Sequence, residues 1–280
     1  GMMKKKTCVI YANCQGTGIN RFLVKSNAYS RQFENVFMEN YSMIRDKKPL
    51  DEGLLRRADL FIHQPLPAKW AGTVYATDHV RSFLPDSCIQ ISVPYIVNDA
   101  LWPFFVENSK VYGGEVINGC LDRGLSLRQI VRSFRNLSLD LNYGARFDRT
   151  VALLREREQA TDVKVADFVL STLKKQRVFL THNHPTSVVF VHCANQILSR
   201  LGYPALPASN YDPNETGLPG LWPITPYDSS FYGYEYTQAD ANWQRFYIRM
   251  MDKICRMRPQ PGLLRYARTQ YLRLCRKGIL

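Results

Sequence analysis

The sequence lacks the patterns that mark several large protein classes. None of its apolar runs approaches the roughly 20 residues of a transmembrane helix, and residues 1–6 have no apolar stretch of the kind that a secretion signal contains. The seven cysteines are an odd number without a Cys-x-x-Cys pair, so their spacing indicates neither a disulfide framework nor a zinc site. We therefore expect a cytoplasmic protein with free thiols and no metal.

Common nucleotide-binding and hydrolase signatures are also missing. The run Gly16-Thr17-Gly18 lacks the third glycine of a dinucleotide fingerprint, and no Gly-Lys-Ser/Thr phosphate loop occurs. There is no Gly-x-Ser-x-Gly nucleophile elbow. NAD, ATP and an ordinary serine α/β-hydrolase are therefore not indicated.

The apolar content that is present predicts an α/β fold. The chain has 280 residues, 45% of them hydrophobic, which is enough for one large core or two modest ones. Short apolar runs alternate with segments of helical spacing, so we predict an open, mainly parallel sheet with crossover helices, a helical middle section and a helical, basic C-terminal tail. The predicted strands are 7–12, 60–62, 88–93 and 178–180.

Composition divides the chain near residue 202. Residues 7–202 are predicted to form an α/β core domain with a helical insertion at about 100–165. Residues 203–280 are predicted to form a Pro/Tyr-rich arm and basic C-terminal helices that pack on the core. A long irregular segment such as this arm is typical of a lid or binding surface, and equally of a domain-linking arm.

Positive charge is concentrated at the end of the chain. The formal net charge is +13, and residues 245–277 contain ten basic side chains against the single acid Asp252. Such a tail attracts anionic partners, and we expect peripheral contact with an anionic membrane rather than specific binding to nucleic acid. A solvated surface helix is the simpler alternative.

A cysteine follows the first predicted strand. Asn13-Cys14-Gln15-Gly16 comes directly after the apolar run 7–12 and before a segment with helical spacing. Ligands bind at the carboxyl ends of strands in open α/β sheets, and the positive end of a helix dipole favours a thiolate. Cys14 is therefore predicted to be reactive. The alternative is that it is a small buried hydrophobe.

Two histidines follow a later strand in the same way. Strand 178–180 runs into a polar loop that contains His182 and His184, and Pro185-Thr186 suits the start of a helix. If both strands are parallel in one sheet, Cys14 and His184 lie at the same edge. His184 is then a candidate base, although either histidine could instead cap a helix or bond a buried carbonyl. No third ligand for a metal is evident.

Four short motifs in a fixed order support a family resemblance. They are Asn13-Cys14-Gln15, His63-Gln64-Pro65, Trp102-Pro103 and His184-Pro185. Over residues 7–202 this order resembles the WcbI family of bacterial capsular polysaccharide biosynthesis proteins. The resemblance implies an acetyltransferase that binds coenzyme A and uses acetyl-CoA as donor and a carbohydrate as acceptor.

The resemblance also suggests roles for particular residues. Cys14 would carry the acetyl group as a thioester, or His184 would deprotonate the acceptor hydroxyl directly. The side chain of Gln15 would stabilise the oxyanion. Contacts to coenzyme A would come from five further positions: Asn13, Gly16, Thr17, Gln64 and His182.

Two other functions stay open at this point. One is an acyl-ester hydrolase with an SGNH-like sheet, in which Cys14 replaces the usual serine. The other is a non-enzymatic protein that binds a polyanion or a membrane through its basic tail. For each of the three functions we expect a cytoplasmic location, with peripheral contact at the inner membrane face.

Overall fold

Strands and helices alternate along the chain. The computed structural model describes residues 3–98, 116–207, 211–257 and 273–274. The strands are β1 (Lys6–Ala12), β2 (Phe33–Glu39), β3 (Leu60–His63), β4 (Ile89–Ser92), β5 (Phe179–Thr181) and β6 (His184–Pro185). The helices are α1 (Gln15–Leu23), α2 (Asn27–Gln32), α3 (Asn40–Asp46), α4 (Glu52–Arg56), α5 (Ala68–Ala71), α6 (Thr77–Arg81), α7 (Val116–Asp122), α8 (Leu127–Arg135), α9 (Tyr143–Gln159), α10 (Ala166–Thr172), α11 (Ser187–Arg200), α12 (Pro226–Tyr232) and α13 (Trp243–Met257).

The main sheet is parallel, as predicted. Its four strands lie in the order β2-β1-β3-β4, and every pair in it is parallel. β1 is a nearly continuous apolar run because it is covered on both faces, as expected for a parallel strand between two helical layers. The predicted α/β class is therefore confirmed.

The two faces of β1 belong to two different cores. Cys8, Ile10 and Ala12 point into the larger core, which includes buried residues of α1 and α11. Val9 and Tyr11 point into a smaller core on the other face. This alternation follows from the two-residue period of a strand.

The predicted strand at 178–180 does not join the main sheet. β5 instead pairs antiparallel with β6 in a separate two-stranded sheet. The reason lies at the outer edge of β4, where the Asp162 carboxylate accepts hydrogen bonds from the backbone N–H and the hydroxyl of Ser92. The Ser92 carbonyl accepts a further bond from the N–H of Val163. The last residue of the edge strand is therefore already paired.

Asp162 precedes α10 in the chain but does not cap this helix. α10 begins at Ala166 with Val165 at its N-cap, so Asp162 lies too early to cap it. The first amides of the helix, those of Val165 and Ala166, donate instead to the Glu158 carboxylate.

Two strands, β2 and the short β6, were not predicted, and some predicted features lie outside the described residues. β2 is an edge strand of mixed burial, and its sequence lacks a clear apolar run. Trp102-Pro103, part of the 100–165 insertion and most of the basic tail after residue 257 fall outside the described ranges. Within those ranges no helix is long and apolar enough to cross a membrane. The domain boundary near residue 202 stays a prediction.

Candidate active site

Cys14 lies at the point in the sheet where the strand order reverses. The chain leaves β1 toward β2 on one side and returns to β3 on the other, which makes the crevice between β1 and β3 a topological switch point. Ligands in open α/β sheets bind in this crevice, beyond the carboxyl ends of the strands. Cys14 follows β1 as the N-cap of α1, and Gln64 follows β3.

The structure brings Cys14 and His184 together although β5 is not in the main sheet. The Cys14 Sγ lies 3.6 Å from the Nε2 of His184. The Nδ1 of His184 lies 2.6 Å from the carbonyl oxygen of Pro219. Because that carbonyl can only accept, we assign the ring proton to Nδ1, which leaves the lone pair of Nε2 facing the thiol. The three groups form a nucleophile, a base and an orienting partner.

The thiol is protonated at rest. Burial raises the pKa of Cys14, and the Glu39 carboxylate raises it further, while the backbone amides of Cys14 and Gln15 lower it by a smaller amount. The expectation that the helix start favours a thiolate is therefore wrong in net direction, because desolvation outweighs the helix dipole. The thiol needs a base.

His184 can serve as that base at neutral pH. Burial lowers its pKa, and the Pro219 carbonyl offsets part of this effect by stabilising the protonated ring. The imidazole is therefore neutral near pH 7 and able to take a proton on Nε2.

Glu39 was not predicted, and its charge has a measurable consequence. It ends β2 in register with Ala12, at the same edge of the sheet as Cys14. Because its negative charge raises the thiol pKa, Glu39→Gln is expected to lower that pKa and to speed alkylation of Cys14 by iodoacetamide below the thiol pKa. Rates measured across a pH series would test this. Glu34→Gln, at an exposed position of the same strand, should leave the profile unchanged. Equal profiles for the Glu39 variant and the parent would contradict the assignment.

Gln15 is buried at the centre of an amide network. It is 1% exposed, and its Nε2 donates to the carbonyls of Ile96 at 2.6 Å and of Asn183 at 2.7 Å. Its Oε1 accepts from the N–H of Ile96 at 3.1 Å and from the Nε2 of Gln64 at 3.0 Å. Both donors and both acceptor positions of the amide are thus occupied. The predicted role in stabilising an oxyanion does not fit this geometry, and Gln15 instead holds the loop that carries His184.

Gln64 and Asn13 extend the same network. The Oε1 of Gln64 accepts from the N–H of Asn13 at 3.0 Å, and its Nε2 also reaches the carbonyl of Pro94 at 3.4 Å. Gln64 is buried and bridges the loops that follow β1, β3 and β4, and its predicted contact to coenzyme A stays a prediction. Amide side chains suit this task because each donates and accepts at once.

The start of α1 is not available as a phosphate site. The N–H of Gln15 donates to the Asn13 side chain, the N–H of Gly16 to the Asn13 carbonyl, and the N–H of Thr17 to the Cys14 carbonyl. These backbone amides are therefore already bonded, and the predicted contacts of Asn13, Gly16 and Thr17 to coenzyme A, which would need other atoms, stay predictions.

The glycines of this turn have a packing role. A Cβ on Gly16 would lie 2.3 Å from the ring of Phe37, and one on Gly18 would lie 2.5 Å from the ring of Phe190. Glycine is therefore required for the close approach of α1 to β2 and α11.

His182 is placed against the arm. Its ring stacks on Trp222, with ring centroids 5.3 Å apart, and its carbonyl accepts from the N–H of Asn98. Burial, with a smaller contribution from His184, lowers the pKa of His182 to about 3, so the ring is neutral. These contacts make His182 a support for the histidine loop.

The Pro/Tyr-rich arm covers the histidine loop. At one end the Pro213 carbonyl accepts from Ser187, the first residue of α11, and at the other the N–H of Trp222 donates to Leu180. Between them Gly217 and Gly220 have positive φ angles, which favour glycine. This path brings the Pro219 carbonyl to His184, a backbone contact with no signature in the sequence.

The described residues contain no group of three His, Cys, Asp or Glu side chains that is placed to hold a metal ion. The site is therefore described by its thiol, its imidazole and the amide network beneath them.

Comparison with known proteins places the chain in a family. A family model described as polysaccharide biosynthesis enzyme WcbI matches residues 7–206, which include both the Cys14 turn and the histidine loop. The chain belongs to the WcbI family of polysaccharide biosynthesis enzymes. The predicted resemblance is thereby confirmed, and the match ends before Pro219. No curated protein matches this WcbI family member.

A solved WcbI structure has the same fold. It is 19% identical in sequence to this chain, covers 91% of each chain and superimposes with a TM-score of 0.71. That protein is described as native WcbI without a disulfide bond between coenzyme A and its own Cys14. At this identity the likeness establishes the fold of the present WcbI family member.

Proposed function

We propose that the protein is an O-acetyltransferase that transfers an acetyl group from acetyl-CoA to a sugar hydroxyl during synthesis of a capsular or other surface polysaccharide. One observation carries the proposal: the Cys14 thiol lies 3.6 Å from a neutral imidazole whose other nitrogen bonds a backbone carbonyl. Such a pair can activate a thiol or a hydroxyl for acyl transfer. Family membership supplies the polysaccharide context.

In the covalent route, Cys14 carries the acetyl group between two transfers. The Nε2 of His184 takes the thiol proton, and the sulfur attacks the acetyl carbonyl carbon of the donor. The coenzyme A thiolate leaves and receives that proton from His184. His184 next takes the proton of the sugar hydroxyl, whose oxygen attacks the thioester and releases the Cys14 thiolate. That thiolate is reprotonated by His184, so protons and acyl group balance.

In the direct route, His184 deprotonates the sugar hydroxyl while it attacks acetyl-CoA, and Cys14 forms no bond. Cys14→Ser separates the two routes, because a serine hydroxyl is a far weaker nucleophile than a thiol. We expect at least a ~100-fold loss of transfer for the covalent route. Turnover close to that of the parent, with an unchanged unfolding curve, would exclude the thioester. Cys255→Ser, at another partly buried free cysteine, is the control.

Coenzyme A enters the proposal through the related solved structure, which is described with reference to a disulfide between coenzyme A and a cysteine. In this chain the first amides of α1 are already bonded, so phosphate groups of the donor would need side-chain cations elsewhere. The thiol end of the donor would meet Cys14 at the switch point.

Calorimetric titration with coenzyme A and acetyl-CoA, at low and moderate salt, is the first test. ATP and NAD serve as controls because they share the adenosine phosphate. Selective binding that persists in salt supports the transferase. Binding no tighter than that of ATP, together with acyl-ester cleavage in the absence of coenzyme A, would replace it with the hydrolase.

We further propose that the protein is cytoplasmic and touches the inner membrane face through its basic end. Arg245, Arg249, Lys253 and Arg256 follow each other along one face of α13, opposite its buried face. Of these four, Arg256 has a described carboxylate partner, Asp252, in an exposed ion pair of little energetic value.

Reversing two of these charges tests the membrane contact. Each basic residue near an anionic surface contributes about 1 kcal/mol, so the double variant Arg249→Glu/Lys253→Glu is expected to bind phosphatidylglycerol vesicles at least ~10-fold more weakly. Co-sedimentation with the full chain measures this. The double variant Lys5→Glu/Arg31→Glu, at exposed positions away from α13, is the matched control. Equal losses in both variants would indicate general electrostatics instead of a basic face.

A further inference from the structure

A second cleft opens at the carboxyl ends of β3 and β4. Its volume is about 520 Å³, within the range of small-molecule sites. His63 and Ser92, the last residues of the two strands, line it together with residues of α6 and with Ala160 and Asp162. Neither Cys14 nor His184 lines it. We call it the β3–β4 cleft.

His63 gives the cleft a buried polar floor. Its side chain faces the smaller core and stacks on Phe61 with ring centroids 4.9 Å apart, and the residue is 6% exposed. Its Nδ1 has no hydrogen-bond partner among the described residues. A buried polar atom without a partner is unfavourable, so this position favours a polar molecule that reaches the ring. The ring is neutral near pH 7, since burial and then Arg81 lower the pKa of His63 to about 4. A neutral imidazole both donates and accepts.

The charges around the cleft are nearly balanced. The guanidinium of Arg81 donates to Gln90 and lies 3.9 Å from the Asp78 carboxylate. The Asp162 carboxylate lies on the far side, where it accepts from Ser92 and remains partly exposed. Asp162 also pairs with Arg200 at 3.6 Å, so each of the two lining carboxylates has an arginine beside it, and the cleft has no excess positive charge to attract a phosphate or a polyanion.

Another part of the lining is mostly apolar. Five of its residues have no side-chain polar atoms, namely Pro65, Leu66, Pro67, Ala68 and Ala76, and Thr73 and Thr77 also line the cleft. A site with one apolar wall, a carboxylate, an amide and a neutral imidazole fits a ring that has C–H faces and hydroxyl edges. Each hydroxyl can donate to Asp162 or Gln90 and accept from the imidazole.

We propose that the β3–β4 cleft binds a neutral sugar unit. The choice of ligand class rests on the proposed function, but binding at the cleft requires neither acetyl-CoA nor the thiol. A sugar held here would anchor a longer glycan next to the switch point, at a place separate from the reacting hydroxyl.

Saturation-transfer NMR and calorimetry with defined saccharides test the proposal. The probes are mono- to trisaccharides of neutral hexoses and N-acetylhexosamines, with glucuronic acid and adenosine 3′,5′-bisphosphate as charged comparators. Ala160→Trp, at the C-cap of α9, places an indole at the exposed rim of the cleft, and Ala152→Trp, at an exposed position within α9, is the matched control. His63→Phe keeps a planar aromatic ring and removes both ring nitrogens.

We expect a neutral saccharide to bind with a Kd that rises at least tenfold in Ala160→Trp and in His63→Phe, and that stays unchanged in Ala152→Trp. Alkylation of Cys14 with N-ethylmaleimide should leave the Kd unchanged. Should alkylation abolish binding while Ala160→Trp does not, the sugar sits at the thiol and the inference fails. Tighter binding of the bisphosphate than of any sugar, or no binding of neutral sugars, also overturns it.

The outcome separates this inference from the proposed function. Saccharide binding that depends on His63 in a protein without acetyl transfer would retain the cleft and reject the transferase. Acetyl transfer with a sugar KM unaffected by Ala160→Trp would do the reverse.

Discussion

Replacing His184 with glutamine is expected to lower acetyl transfer by at least about 100-fold, because a positioned general base contributes 10²–10⁴-fold. Glutamine can still donate to the Pro219 carbonyl, but its amide cannot take a proton from Cys14 or from a sugar hydroxyl. The loss should appear in kcat, since the imidazole acts on the reacting atoms. Steady-state assays with acetyl-CoA and a responsive acceptor measure it.

His192→Gln is the matched control for this prediction. His192 is another partly buried histidine, and it stacks on Phe168 and bonds the Lys164 carbonyl, away from Cys14. Its substitution should leave kcat within about twofold, as expected for a residue that takes no part in proton transfer. Equal effects of the two substitutions would mean that His184 supports the fold and does not act as the base.

The pH dependence of kcat is a second test of His184 as the general base. Burial lowers the pKa of this imidazole, so it becomes protonated, and is lost as a base, at a lower pH than an exposed histidine. The acid limb of kcat should therefore lie lower than for an exposed histidine and should disappear in His184→Gln. An acid limb that persists in this variant would assign it to another group.

Gln15→Glu is expected to reduce the free energy of unfolding by about 3–5 kcal/mol at pH 7, the cost of an uncompensated buried charge. The substitution keeps the shape of the side chain but removes the Nε2 donor. The carbonyls of Ile96 and Asn183 would then face a carboxylate oxygen in a buried site. Urea unfolding followed by circular dichroism measures the difference.

The loss of unfolding free energy in Gln15→Glu should become smaller at acid pH. Burial beside two carbonyls raises the folded-state pKa of the new carboxyl above its unfolded value, so the penalty is fully present above the folded pKa. As the pH falls through that pKa, the protonated carboxyl can donate to one carbonyl and stability recovers. Gln32→Glu, at the exposed end of α2, should change stability by less than ~0.5 kcal/mol. A Gln15 variant as stable as this control would contradict the network.

Loss of the Gln15 hydrogen bonds should also affect the pairing of Cys14 with His184. The Gln15 amide holds Asn183, the residue before His184, so the variant is expected to weaken the pairing of His184 with Cys14. The rate of Cys14 alkylation relative to Cys255 reports this in the folded fraction. An unchanged ratio would show that the histidine loop is held by the arm alone.

Local patterns predicted much of the main sheet and the position of the thiol. The run 7–12 places apolar side chains on both faces of the predicted strand. This pattern is expected for a strand that is buried on both sides, and β1 is such a strand. The position of the Asn-Cys-Gln turn then follows from the change from strand spacing to helical spacing of the apolar residues. β2 escaped prediction because an edge strand of mixed burial has no such run.

Contacts between distant segments could not be predicted from local patterns. Gln15 and Gln64 are of a residue type that can stabilise an oxyanion or bind a ligand. Their side-chain amides are hydrogen-bonded to each other although 49 positions separate them in the sequence, and no local pattern indicates this pairing. Gly16 and Gly18 resemble part of a phosphate loop, whereas the rings of Phe37 and Phe190 require them. Amides and glycines serve structure and ligand binding equally well, so the surroundings decide between the two.

The sequence alone determined the α/β class, the cysteine at the end of the first strand and the histidine loop that follows a later one, because strand period, helix spacing and residue chemistry are local properties. Only the tertiary structure decided that β5 leaves the main sheet, that Pro219 orients His184 and that burial keeps Cys14 protonated. Each of these depends on which groups from distant parts of the sequence surround a residue. Desolvation by such groups, and hydrogen bonds to them, leave no local pattern in the amino-acid sequence.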